Sequence, residues 1–105
     1  MILTEYKKHK NAAFDQRLLW DVDLNEFDFR EGKHAVIERT VEMGSLNDWY
    51  FILNFYGEET VIAEIKKINS LMSRDINFVH KFLSIPLSEL RSYQNQLNGK
   101  KHWFE

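Results

Sequence analysis

From residue 34 onward, apolar residues recur every three or four positions, and short polar or glycine-containing breaks interrupt them. In HAVIERTVEMG, residues 34–44, Val36, Ile37, Thr40 and Val41 share one helical face, and Gly44 stands where a closing residue of positive φ is usually glycine. Ser45 and Asp48 follow in the Ser-x-x-Asp arrangement that satisfies the first free amides of a new helix. That helix is predicted to run to Gly57. Leu46, Trp49, Tyr50, Leu53 and Tyr56 form its main stripe, and Phe51, Ile52 and Phe55 add apolar surface on other sides, so it is expected to sit centrally.

The next segment, EETVIAEIKKIN, opens with Glu58 and Glu59 and closes with Lys66 and Lys67, the charge order a helix dipole favours. Val61, Ile62, Ile65 and Ile68 are its expected buried stripe. The break SLMS leads to RDINFVHKFLS, where Ser73 is a candidate N-cap and Phe78, Val79, Phe82 and Leu83 lie on one face. The only proline, Pro86, falls just inside the start of a last predicted helix, PLSELRSYQNQL, where its missing amide hydrogen is not needed, and Gly99 is expected to end that helix.

The pattern therefore predicts an all-α, single-domain bundle of about five helices behind an extended N-terminal segment. Residues 1–19 read as an arm or helix, 20–97 as the helical domain and 98–105 as a tail. The loop DVDLNEFDF suits an extended, packed path, with Trp20, Phe27 and Phe29 docking onto the bundle.

Composition narrows the picture. A chain of 105 residues supports one core, and without cysteine it has neither disulfides nor thiolate chemistry. A net charge of -2 gives no global attraction for nucleic acid or anionic membrane, so such binding needs a local patch. No apolar run approaches the roughly 20 residues that span a bilayer, and MILTEYKKHKNAAF has too short an apolar start for a signal peptide; the cytoplasm is the expected location, with no membrane partner.

Several chemical motifs are suggested and then fail. Asp21 and Asp23 resemble the Asp-x-Asp of a phosphatase, but Leu24 and Asn25 follow in place of small residues, and no alternation of strands and helices supports a parallel sheet. Read as a calcium loop, the same stretch puts Glu26 where the sharp turn needs glycine and Gly32 where the bidentate glutamate belongs. The better reading is that these aspartates cap backbone amides and pair with Arg39 or Arg17. His9, His34, His80 and His102 show no metal-ligand spacing, and His34 with Glu38 reads as a solvated i, i+4 pair. Tyr50, Phe51, Phe55 and Tyr56 would make a stacking platform only if exposed; at helical spacing they read as core. No enzyme, metal or cofactor is expected.

Residues 58–68, the turn 70–73 and residues 74–84 have the lengths of a helix-turn-helix, with Arg74, Asn77, His80 and Lys81 on the outer face of the second helix. Asp75, a turn without glycine and the acidic net charge weigh against it, and two angled helices of a bundle remain the preferred reading.

The ordered series LLWDVD, FDF, VIERTVEMGSLNDWYFILNFYG and NFVHKFLSIP resembles a small bacterial family of unknown function, over about residues 18–93. The matching positions include Trp20, Asp21, Asp23, Glu38, Arg39, Gly44, Trp49 and Gly57, all read as structural. Asp75 departs from the basic pair found at that place in relatives. Members are often encoded beside nucleotidyltransferase-like toxins of the AbiEii type. The resemblance implies a non-enzymatic protein-binding domain, an antitoxin or antitoxin-like component whose partner is the neighbouring toxin-like protein. The alternative is a helix-turn-helix DNA-binding autoregulator, and a homodimer is compatible with either. The basic and aromatic run Lys100 to Phe104 is expected either to pack back on the chain or to meet a partner.

Overall fold

The computed structural model describes the backbone of residues 2–103 and the side chains of residues 5–98. Five α-helices follow one another, α1 (Lys33–Met43), α2 (Leu46–Tyr56), α3 (Glu58–Lys67), α4 (Ser73–Phe82) and α5 (Arg91–Trp103), with 3-10 segments at Ile2–Lys8, Gln16–Leu19 and Leu87–Glu89. Among the described residues there is no strand, so the chain is the all-α bundle its periodicity predicts. Among the described residues no helix is long and apolar enough to cross a membrane.

α2 is central, packed by α1, by α3 and by the N-terminal 3-10 segment. Its buried face consists of Trp49, Tyr50, Ile52 and Leu53, facing Val36, Ile37 and Val41 of α1 and Val61 and Ile65 of α3. Burying each such side chain contributes roughly 1.5–3 kcal/mol, which is why the most apolar helix takes the middle. Leu46, expected in the stripe, is exposed, although Asp48 and Trp49 of the same turn are buried. The capping box forms: the Asp48 carboxylate accepts from the Ser45 amide at 2.8 Å and the Ser45 hydroxyl at 3.0 Å.

The two expected helix-ending glycines play different parts. Gly44 is extended (φ −74, ψ 154), not left-handed. A Cβ there would lie 2.7 Å from the Thr40 carbonyl oxygen and 2.9 Å from Thr40 Cα, so close approach, not positive φ, is what requires glycine. Gly57 carries the positive φ (89°, ψ 154), a region open essentially to glycine alone, and turns the chain directly from α2 into α3.

At the C-terminal side, Ser73 is the first residue of α4 and not its cap; Met72 takes the cap position. Pro86 opens only a single 3-10 turn. The fully buried Leu90 is extended (φ −91, ψ 116) and separates that turn from α5, which then continues through Gly99 to Trp103. The side-chain contacts expected for Lys100 to Phe104 lie outside the described residues.

The N-terminal segment packs as a 3-10 helix. Tyr6 is buried, Asn54 Nδ2 donates to the Tyr6 carbonyl at 2.9 Å and the His9 carbonyl at 3.2 Å, and His9 stacks on Tyr50 at 4.4 Å. In the loop that follows, Phe27 and Phe29 dock half-buried as expected, and Tyr56 donates to the Phe29 carbonyl at 2.5 Å. Burial, and then the charge of Asp28, push the Tyr56 phenol up to about 12. Trp20 does not dock: it is 79 % exposed, because Leu18 and Leu19 take the inward positions of the short helix it ends.

Candidate functional site

The two aspartates of the Trp-Asp-x-Asp motif do not converge. Arg39, on α1, grips Asp21 with both terminal nitrogens, Nη2 at 2.7 Å from Oδ2, and its Nη1 also donates to the Leu18 carbonyl at 3.1 Å. This bidentate hydrogen bonding holds the Asp21 carboxyl below the usual aspartate range. Asp23 accepts from the Asn25 amide at 3.0 Å and so closes a turn. The sequence motifs centred on Asp21 and Arg39 thus meet in space as a tether between loop and helix.

A second motif residue, Glu38, meets His34 at 3.1 Å, and the other ring nitrogen of His34 lies 3.1 Å from Glu64 Oε2. Glu64 is buried, with Lys33 at 3.8 Å and Lys67 at 3.6 Å. Asp48 is likewise buried, and beyond its cap it accepts the amide of Asp15 at 2.8 Å, joining loop to α2 across 33 residues. The sequence announces the cap but gives no sign of that long-range bond or of the Glu64 cluster.

On α4, Arg74, Asn77 and Lys81 lie at i, i+3 and i+7 and are exposed, whereas His80 is turned inward, its Nδ1–H donating to the Ile85 carbonyl at 2.7 Å. α3 packs chiefly on α1, α2 and α5, and α4 chiefly on α1 and residues 2–8, so each finds its main support away from the other.

A two-lobed concavity, which sequence reasoning missed, lies between the C-terminal end of α1 and the N-terminal end of α4. Its larger lobe, about 500 Å3, has Val41, Trp49 and Phe78 as apolar walls, with the Trp49 and Phe78 rings 5.4 Å apart and inclined at 42°. A second lobe of about 310 Å3 runs past Leu71 and Met72, and both share Glu42, Met43, Arg74 and Asp75. Met43 and Met72, on the rim, are 60 % and 63 % exposed.

Two carboxylates line this groove. Asp75 is 8 % exposed, and burial raises its carboxyl above the usual aspartate range; the nearest guanidinium nitrogen of Arg74, a largely exposed side chain, is 3.7 Å away. Glu42, an exposed residue on the rim, is raised too, first by partial burial and then by the charge of Glu38, with Asp75 adding to it and Arg39 opposing it. The arrangement, apolar walls beside the buried Asp75 and the exposed rim carboxylate of Glu42, suits an apolar side chain together with a cation. The detectable sequence signal is modest: two methionines, Met43 and Met72, at positions that helical spacing leaves outside the core. Among the described residues no group of three or more His, Asp or Glu gathers into a metal site.

No curated protein and no solved structure matches this chain. Residues 14–65, from the aromatic loop through α1 and α2 into α3, match the model of a family of unknown function (DUF6922). The stretch contains Asp21, Arg39, Asp48 and Trp49, while Asn77 to Pro86 lie beyond it.

Proposed function

We propose that the protein is a non-enzymatic protein-binding domain, an antitoxin or antitoxin-like component that captures the toxin-like product of a neighbouring gene through the groove between α1 and α4. The observation that carries this reading is the combination of exposed methionines, the buried Asp75 and the rim carboxylate of Glu42 around one apolar cleft. Methionine is flexible and polarizable, so it adapts to a partner surface at small entropic cost to the backbone. An incoming Lys or Arg would compensate Glu42 and Asp75, and an apolar neighbour of that cation would fill the space beside Trp49 and Phe78. The family resemblance supplies the kind of partner.

Co-expression with the neighbouring gene product followed by co-purification tests the proposal. A stable pair is expected, lost in the double variant Met43→Asp and Met72→Asp, whose exposed positions leave folding intact. An unassociated pair with no rescue of growth would overturn it. A second reading, DNA binding for autoregulation, draws on the exposed stripe Arg74, Asn77 and Lys81. It expects salt-sensitive binding to the chain's own promoter, weakened by Arg74→Ala and Lys81→Ala, and no complex at low salt removes it.

A further inference from the structure

Trp49 and the pair Phe51 and Phe55 leave α2 in opposite directions, since two and six residues at roughly 100° each amount to rotations of about 200° and 240°. Trp49 faces the groove described above. The phenylalanines form a separate surface on the far side, and it is not closed. Phe55 is 46 % exposed and Phe51 half-buried, their rings nearly parallel at 14° with centroids 5.4 Å apart. The aromatic residues that read as core from their spacing are therefore in part an open shelf.

Phe29 meets Phe51 and Phe55 at 6.0 and 6.2 Å, both edge-on, and Tyr56 meets Phe55 edge-on at 4.9 Å, so the shelf is braced from beneath by its neighbours. A recess opens on either side of Phe55. One, about 200 Å3, is formed by Phe51, Asn54 and Lys10; the other, about 300 Å3, by Tyr56, Thr60, Arg30 and Lys33. Each exceeds the volume of a nucleobase, and the charged residues lining both are cationic. Lys33 leans on Glu64 at 3.8 Å, but among the described residues no carboxylate is within ion-pair distance of Lys10 or Arg30. Asn54 commits its amide nitrogen to the Tyr6, His9 and Tyr50 carbonyls, which leaves its Oδ1 as an acceptor at the first recess.

From these observations we infer that the Phe51 and Phe55 shelf, flanked by Lys10 and Arg30, is a binding site for single-stranded nucleic acid. The flat rings offer stacking to any base, and cations at the two ends match a backbone that passes across the shelf. A duplex hides its base faces and does not fit this arrangement. A free nucleotide needs its phosphates cradled at one point, whereas here the charge is divided between two recesses. The net charge of -2 makes such binding local, dependent on these cations and sensitive to salt.

Fluorescence anisotropy of a labelled single-stranded RNA or DNA oligonucleotide of mixed sequence, titrated with the full chain at low salt, tests this. Binding is expected to the single strand, weakening as salt rises. Phe55→Ala should lower affinity roughly 5- to 100-fold, and Phe55→Trp should retain it. Lys10→Ala and Arg30→Ala should each reduce the salt slope by about 1, a change that a merely misfolded variant would not give. Arg74→Ala, on the other side of the molecule, should bind as the unaltered chain does. Absence of binding at low salt, equal affinity for the corresponding duplex, or indifference to both Phe55→Ala and Lys10→Ala would overturn the assignment.

Discussion

Carboxylates sit in two kinds of surroundings in this molecule, and the contrast separates scaffold from candidate interface. Between the loop and α1 to α3, the chain supplies partners for its acids: the exposed Asp21 has Arg39, and of the buried ones Asp48 has two amides and a hydroxyl and Glu64 has Lys33, His34 and Lys67. At the groove between α1 and α4, Asp75 is buried with the exposed Arg74 3.7 Å away, while the exposed Glu42 feels the like charges of Glu38 and Asp75 against the opposing charge of Arg39. The first arrangement stabilises the fold; the second is a destabilising one, of the sort a bound partner relieves. Most of the first lies within the stretch that matches the family model, while the groove draws part of its walls from α4, beyond it.

The sharpest way to break this contrast is to remove an apolar side chain from each region. Leu53→Ala, in the middle of α2, should lower unfolding free energy by about 2–5 kcal/mol in urea titration, whereas Met72→Ala on the groove rim should change it by less than about 0.5 kcal/mol. Equal losses would mean that the groove is core.

Next in size is Asp48→Ala. It strands the amides of Ser45 and Asp15 together, so a loss of about 2–3 kcal/mol is expected. Amide exchange should also quicken around residues 15–19, because the loop loses its bond to α2. A small effect confined to α2 would reduce Asp48 to an ordinary cap.

The smallest effect is on pH dependence, and the two regions should give opposite slopes. Asp21 is lowered, so the native state binds fewer protons than the unfolded chain, and its contribution is lost as pH falls below the ordinary value of 3.8. Asp75 and Glu42 are raised, so the native state holds protons that the unfolded chain has given up, and stability falls as pH rises above the ordinary 3.8 and 4.5 through their higher native values. Asp75→Asn should remove much of that decline and stabilise the protein at neutral pH, as thermal melts across this range would show. An unchanged profile would mean that Asp75 is answered by a cation after all.

What was legible in the sequence follows the range of the forces involved. The positions of α1 to α4, the capping box at Ser45 and Asp48 and the centrality of α2 all rest on spacing and chemistry within a few residues, and they are found as predicted. The docking of Trp20, the burial of Leu46 and an unbroken last helix from Pro86 to Leu97 are not found, because each depends on which neighbour arrives. Trp20 yields its place to Leu18 and Leu19; burial of Leu90 interrupts the last helix. The pairing of Asp21 was foreseen as a choice between Arg39 and Arg17. Arg17 instead pairs with Asp15 two residues away, leaving Arg39 for the longer reach.

By itself, then, the sequence determined an all-α chain, where α1 to α4 lie and which of the helices is most apolar, since hydrophobic periodicity and end-capping act along the backbone. Tertiary structure alone decided which face of α2 meets the core and which stays open as an aromatic shelf, which glycine needs a positive φ, and that Glu42 and Asp75 share a groove. Those outcomes depend on the relative placement of elements far apart in the chain, where packing and desolvation act and local pattern has no information to give.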